Sequence, residues 1–267
     1  MWSCPHCSEQ LQLTEAGSGW ACINGHQFDR AREGYVNLLP ASARHSRKPG
    51  DSDAMIAARR RIHDAGLYQR LAATIGEMLQ PLESVANMLD LGCGEGYYGD
   101  ALQAAHPRAQ LHGVDISRAA IRLAAKRHRH ALFAVASSFQ LPLPMASQDI
   151  VLRVFAPADD SQLLRVLAPG SAYLEVGPAG EHLWELRERL YQQPRPHAES
   201  RRVIAGLELE SEQELSYRLD LDRQLLTDLV AMTPFAHRGH REKRDSLLAI
   251  DQLSLQMAFV LRLFRKG

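Results

Sequence analysis

The chain has 267 residues, 45% of them hydrophobic, which suffices for one full α/β core plus a small extra module. Lysine plus arginine equals aspartate plus glutamate at 31 each, so net charge neither demands nor excludes a nucleic-acid partner. No apolar run is long enough to cross a bilayer, and Met1-Trp2-Ser3-Cys4 lacks the basic and apolar regions of a signal peptide, so a cytoplasmic setting and no membrane partner are expected.

Three of the four cysteines lie within the first 22 residues, as expected of metal ligands in a reducing compartment rather than a disulfide scaffold. Cys4-Pro5-His6-Cys7 is followed, after a fourteen-residue gap, by Cys22-Ile23-Asn24-Gly25-His26. Cys4, Cys7, Cys22 and His26 form a closed Cys3His set for structural zinc, with no open position for catalysis. Leu11 to Trp20 reads as a short hairpin with too few apolar residues to fold unaided, so the metal would supply the folding energy. A redox C-x-x-C is the alternative, but no βαβ unit lies beside it. His6, inside the knuckle, is a less suitable ligand than His26.

Residues 27–40 continue as extended chain and close a module over 1–40. The stretch 41–84 begins with Arg44-His45-Ser46-Arg47-Lys48, which is basic and turn-rich. It is either a solvated linker or an RNA-contacting loop. Asp51 or Ser52 caps a helix carrying Ile56, Arg59, Arg60, Arg61 and Ile62, and a second helix spans about 67 to 79. Tyr68 sits where a lid over a cofactor is expected.

The domain over 85–267 opens on its most informative segment. Val85 to Leu91 is an apolar strand ending in an acid, and Asp90-Leu91-Gly92-Cys93-Gly94-Glu95-Gly96 is a glycine-rich turn before a helix. Glycines carry no Cβ and let backbone approach a ligand. A second strand ends in Asp115, placed to bind ribose hydroxyls. Gly94-Glu95-Gly96-Tyr97-Tyr98-Gly99 fits dinucleotide spacing. A pyrophosphate, however, would be repelled by Asp90 and Glu95. S-adenosylmethionine is cationic at its ammonium and sulfonium, so those acids suit it.

Ser117 caps a helix that ends in Lys126-Arg127-His128-Arg129-His130, a run that suits a helix C-terminus and reads most simply as solvated. Strands follow over Leu132 to Ala136, Asp149 to Phe155 and Ala172 to Val176, with Ser137 placed to grip adenine and His182 opening a helix. Leu207 to Leu221 and Leu253 to Phe264 read as two antiparallel edge strands, with a helix capped by Asp222 between them. The pattern is α/β: a doubly wound, Rossmann-like sheet.

The acceptor is constrained mainly by what is missing. Pyrimidine C5 methylation needs a cysteine away from the cofactor loop. Cys93 lies inside it. Exocyclic amine methylation uses an Asn/Asp-Pro-Pro-aromatic order, and Arg153-Val154-Phe155-Ala156-Pro157 lacks it. A ring nitrogen or a small molecule remains. Asp159 and Asp160 are candidate bases; helix capping is their other reading. Phe155 is either a base-stacking platform or a core strand residue.

The Asp-x-Gly-x-Gly loop followed by Asp115 resembles the seven-stranded class I methyltransferases. Together with the Cys/His module, Glu33-Gly34-Tyr35-Val36-Asn37-Leu38-Leu39-Pro40, Pro49 to Ser52, Val135 to Ser138, Ala156-Pro157 and Met232 to Phe235, the chain resembles the RlmA-type 23S rRNA (guanine-N1)-methyltransferases. The resemblance implies methyl transfer to N1 of a guanine in hairpin 35 of 23S rRNA, with guanine 745 the expected position. It also implies a homodimer whose two zinc modules, residues 1–40, recognise RNA and help line an RNA cleft, and cofactor contacts at Tyr68, Gly94, Glu95 and His182. Ala158 departs from the family pattern, so any polar role there is lost. Arg44, Arg47, Lys48, Arg59, Arg60 and Arg61 are the expected phosphate contacts. A methyltransferase of small molecules or of another RNA, or a non-catalytic zinc RNA-binding protein, are the competing readings.

Overall fold

The computed structural model describes residues 1–40, 50–197, 203–233 and 241–267. The first four strands, β1 (Trp2–Ser3), β2 (Gln10–Leu13), β3 (Gly19–Ala21) and β4 (Gln27–Asp29), form an antiparallel ribbon in sequence order. The expected hairpin is β2–β3, with Leu13 opposite Trp20.

The next strand, β5 (Val36–Asn37), leaves the ribbon for the main sheet, where it pairs in parallel with β8 (Leu132–Val135). Residues 1–40 are therefore not a detached module. Val36 and Leu38 are buried in the main core, a placement that a two-residue strand cannot announce by periodicity. The ribbon is docked as well. Trp2 is 1% exposed and meets the ring of His112 edge-on, while Ser3 N–H donates to Pro142 O at 2.9 Å. Removing a buried tryptophan of this kind costs about 3–5 kcal/mol.

Helix α1 (Asp53–Asp64) starts where Ser52 Oγ accepts from Met55 N–H at 3.2 Å. Helix α2 (Gln69–Leu79) buries Leu71, Ile75 and Leu79, a 3.6-period stripe, and leads to β6 (Asn87–Leu91). The remaining elements are α3 (Gly99–Ala105), β7 (Gln110–Asp115), α4 (Arg118–Arg127), β9 (Gln148–Val154), α5 (Asp160–Val166), β10 (Leu167–Pro178), α6 (Trp184–Leu190), β11 (Leu207–Asp222), α7 (Arg223–Met232), α8 (Arg241–Leu248) and β12 (Gln252–Lys266). Helix α8 was not expected from the sequence, because its apolar residues are Leu247 and Leu248 alone and form no 3.6-period stripe.

The eight strands run in the order β11-β12-β10-β9-β6-β7-β8-β5. From β10 through β5 neighbours are parallel; β12 and β11 are antiparallel, as expected. Seven strands make the α/β core and β5 adds an eighth at the edge. Alternating residues bury both faces: Met88, Ile150, Leu152 and Leu174 on one, Leu89, Leu91, Val151 and Tyr173 on the other. Strand order reverses between β6 and β9, which opens a crevice at their carboxyl ends where ligands of such sheets bind. Among the described residues no helix is long and apolar enough to cross a membrane.

Candidate active site and zinc centre

The loop after β6 is built from backbone that only glycine adopts readily: φ is +77° at Gly92, +55° at Gly94 and +80° at Gly96. Gly92 N–H and Cys93 N–H both donate to Val114 O, at 2.8 and 3.1 Å. Gly94 N–H donates to Asp115 Oδ2 (3.0 Å), and Ser117 N–H to Asp115 Oδ1 (2.7 Å). Asp115 thus braces the loop while its remaining lone pairs stay available for ribose hydroxyls. Burial pushes its carboxyl above the usual range, against the pull of these two N–H donors.

Helix α1 covers the loop. Arg59 pairs with Asp51 at 2.5 Å and reaches toward Gly94, where an added Cβ would lie 3.6 Å from Arg59 Nη1. One turn on, His63 Nδ1 donates to Glu95 Oε1 at 2.6 Å, with both groups buried. Its ring stacks on Tyr97 with centroids 3.9 Å apart and meets Tyr68 edge-on. Burial raises the Glu95 carboxyl, but His63, a backbone N–H and the Arg59 charge together outweigh it, and the net shift is downward. From the far side His128 Nε2 donates to Gly96 O at 2.8 Å.

Asp90 is 2% exposed, and its Oδ2 has no hydrogen-bond partner among the described residues. Burial, followed by the charges of Asp115 and Glu95, pushes its carboxyl up to about 7. An unmatched acid flanked by two more fits a cationic ligand and opposes a pyrophosphate. The loop therefore fits S-adenosylmethionine, with Asp90, Gly92, Gly94, Glu95, Gly96 and Asp115 the residues that would hold it. The bound cofactor supplies an electrophilic methyl group on a sulfonium. Cys93 is no nucleophile: burial pushes its thiol well above the ordinary range.

The other wall is the loop after β9. Phe155 carries φ +55°, rare for a bulky residue, and remains 45% exposed. Its neighbour Ala156 touches the cofactor loop so closely that a Cβ on Gly92 would stand 2.3 Å from the Ala156 Cβ. The Phe155 ring lies 5.7 Å from that of His182. His182 Nδ1 accepts from Ala258 N–H at 3.3 Å, so the ring proton sits on Nε2. Burial holds its pKa down to about 3, so the ring is neutral.

Several expectations need correction. Tyr68 is a buried core residue at the start of α2, not a lid; α1 is the cover. Asp159 Oδ1 accepts from Ser161 N–H at 2.7 Å and caps α5, which holds its carboxyl below the usual range and suits a base poorly. Asp160 occupies the first turn of α5. Ser137 Oγ accepts from Phe139 N–H at 3.2 Å in the turn after β8. Arg59 faces the cofactor loop rather than solvent. Arg61 is bidentate to Asp228 at 2.7 and 2.6 Å, fastening α1 to α7. Arg60 is exposed. Arg44, Arg47 and Lys48 lie outside the described residues. His63 was missed, although it sits one turn from Arg59 on the same helix face.

The ligand atoms of Cys4, Cys7, Cys22 and His26 all lie within 4.8 Å of one another. Cys7 Sγ is 3.7 Å from Cys22 Sγ, and His26 Nδ1 is 3.6, 3.5 and 3.3 Å from the sulfurs of Cys4, Cys7 and Cys22. Zinc–sulfur bonds of about 2.3 Å give tetrahedron edges of about 3.7 Å, so the set fits zinc through Nδ1 of His26. His6 stacks instead on Phe28, ring centroids 5.9 Å apart.

Residues 2–47 match the family described as "RlmA, N-terminal", and residues 88–171 a "Methyltransferase domain" family. The chain is 34% identical over 240 residues to the 23S rRNA (guanine(748)-N(1))-methyltransferase of Streptomyces fradiae, covering 86% of this chain and 84% of the relative. It is 35% identical over 255 residues to a protein of Micromonospora griseorubida named "Putative 23S rRNA (guanine-N(1)-)-methyltransferase", covering 87% and 85%. A crystal structure of a "putative methyltransferase" from Bacillus halodurans superposes with a TM-score of 0.51 at 18% identity, covering 73% of this chain and 98% of that one, and supports the fold. The zinc ribbon, the methyltransferase core and relatives matched over most of both chains at this identity agree: the chain belongs to the RlmA-type family of 23S rRNA (guanine-N1)-methyltransferases.

Proposed function

We propose that the protein transfers a methyl group from S-adenosylmethionine to N1 of a guanine in hairpin 35 of 23S rRNA. The observation that carries this reading is the contact of two unlike loops at the crevice. One is acid-lined, with the unmatched Asp90. The other presents Phe155, exposed and strained, as a surface on which a loop base stacks once it is splayed from the RNA. Guanine 745 is the position expected from the family resemblance; the Streptomyces relative is named for guanine 748.

Guanine N1 carries a proton at neutral pH, so that proton must leave before or during attack on the methyl carbon. Asp160, in the first turn of α5 beyond the loop after β9, is proposed as its acceptor. Alignment of N1, methyl and sulfur between Phe155 and the cofactor loop supplies much of the remaining rate. Tyr68, Ser137 and His182 are proposed to complete the cofactor pocket, His182 as a neutral donor through Nε2. Arg60, with Arg44, Arg47 and Lys48, is proposed to contact phosphate. The protein is proposed to act as a homodimer, which light scattering tests directly.

The decisive experiment is transfer of labelled methyl from S-adenosylmethionine to unmodified hairpin 35, with reverse-transcription stops mapping the product. A stop at one guanine is expected, because N1-methylation blocks Watson–Crick pairing. Label incorporation without a stop would refute the N1 assignment. Cofactor binding with no transfer to this hairpin would refute the acceptor.

A further inference from the structure

The net charge of zero hides a separation of charge across the sheet. At one edge β11 exposes Glu208, Glu210, Glu212 and Glu214, of which Glu210 and Glu212 pair with Arg265 and Arg262 of β12. At the opposite edge, beside β5, the turn between β4 and β5 faces the C-terminal end of α4 across a groove of about 790 Å³. Arg30, Arg32, Lys126 and Arg129 line it, with Glu33 the single acid among the described residues.

The basic run that ends α4 splits in two. Arg127 pairs with Asp100 and lies over the Tyr97 ring at 5.7 Å, and His128 holds the Gly96 carbonyl, so both serve the cofactor loop. Lys126 and Arg129 turn the other way, into the groove. They and Arg32 are exposed, and none has an ion-pair partner among the described residues. Arg30 is different: its Nε donates to Gly34 O at 3.3 Å and braces the turn. Gly17 and Gly34, at φ +65° and +100°, also line it, with open space beside Gly17 and the Arg30 guanidinium beside Gly34. Among the described residues the apolar lining is alanine alone, with no aromatic face for a base.

We propose that this groove is a docking track for the sugar–phosphate backbone of the substrate RNA, formed within one chain between the ribbon and α4. Cations without aromatics engage phosphates and position the RNA without reading sequence. The proposal rests on RNA being the substrate, and it needs no second copy of the chain.

The test replaces Arg32, Lys126 and Arg129 together by glutamine in the full-length, zinc-loaded protein. Binding to hairpin 35 RNA is then followed by fluorescence anisotropy across a salt series, alongside kcat, KM and cofactor affinity. Each lost phosphate contact lowers the salt slope by about 0.9 on a duplex, so a fall of about 2 to 3 is expected. KM for RNA should rise at least about tenfold, with kcat and cofactor affinity unchanged. A companion R32K/K126R/R129K variant should keep the wild-type slope, which separates charge from fold. An unchanged slope in the glutamine variant, with wild type still methylating the RNA, overturns the groove alone. If wild type binds the hairpin without methylating it, and the glutamine variant loses the slope, the groove stands and the acceptor assignment falls. A wild type that does not bind RNA overturns both.

Discussion

The two loops that meet at the crevice differ in how their conformations are secured. The loop after β6 is over-determined: four of its N–H groups have partners within the protein, and α1 and α4 hold it through Glu95 and Gly96. The loop after β9 is held at its ends. Phe155 N–H donates to Val176 O and Asp159 caps α5, while between them a phenyl ring projects from a left-handed backbone. A site for an invariant cofactor gains from preorganisation, whereas a site for a macromolecular base needs an open face, and its strain is stored where the surroundings permit it.

The sharpest way to break this contrast is at the one point where the loops touch. Gly92→Ala sets a Cβ 2.3 Å from the Ala156 Cβ, at φ +77°. Left-handed strain of about 1–2 kcal/mol and overpacking of about 1–3 kcal/mol are expected to weaken cofactor binding about 100-fold, as titration calorimetry would show. Near-normal affinity would mean that the loops are not mechanically joined.

Phe155→Ala addresses the open side alone. Stacking lost at about 1–3 kcal/mol per base predicts a fall in kcat/KM for RNA of about 5- to 150-fold, with cofactor affinity intact. Phe155→Gly should lose the same activity yet melt higher than Phe155→Ala, because glycine accepts φ +55° without a Cβ penalty. An equal loss of cofactor affinity would show that the two walls are one unit.

Asp90 gives the locked loop a pH signature. Its carboxyl, raised to about 7, is protonated in the folded protein at pH values where the unfolded chain is ionised. Its contribution to stability is therefore present at low pH and lost as pH rises through about 7. A cationic ligand favours the ionised form. Cofactor affinity should climb about tenfold per pH unit below about 7 and level off above it, and Asp90→Asn should flatten that slope. A slope that survives in Asp90→Asn would place the titrating group elsewhere.

The smallest effect is expected at Asp159. Loss of a helix cap destabilises the fold modestly, so Asp159→Ala should lower the melting temperature and leave turnover per folded molecule nearly unchanged. A collapse of kcat without a change in melting would restore Asp159 as the base.

What the sequence by itself determined is local. Zinc needs four ligands in two short clusters, and Cys4, Cys7, Cys22 and His26 show their spacing directly. The glycine loop is legible because positive φ selects glycine, and Asp115 because it ends a strand. Ser52, Ser117 and Asp222 cap the helices they were expected to cap, since a cap is a bond to a residue two or three positions on. Only the tertiary structure decided what depends on distant chain: that Val36 and Asn37 join the sheet, that His63 rather than a tyrosine lid secures the cofactor loop, that Arg59 and Arg61 are consumed by Asp51 and Asp228, and that Lys126 and Arg129 turn from Arg127 and His128. A charge or a ring in sequence carries no mark of the partner it will meet, because that partner is set by how the layers pack.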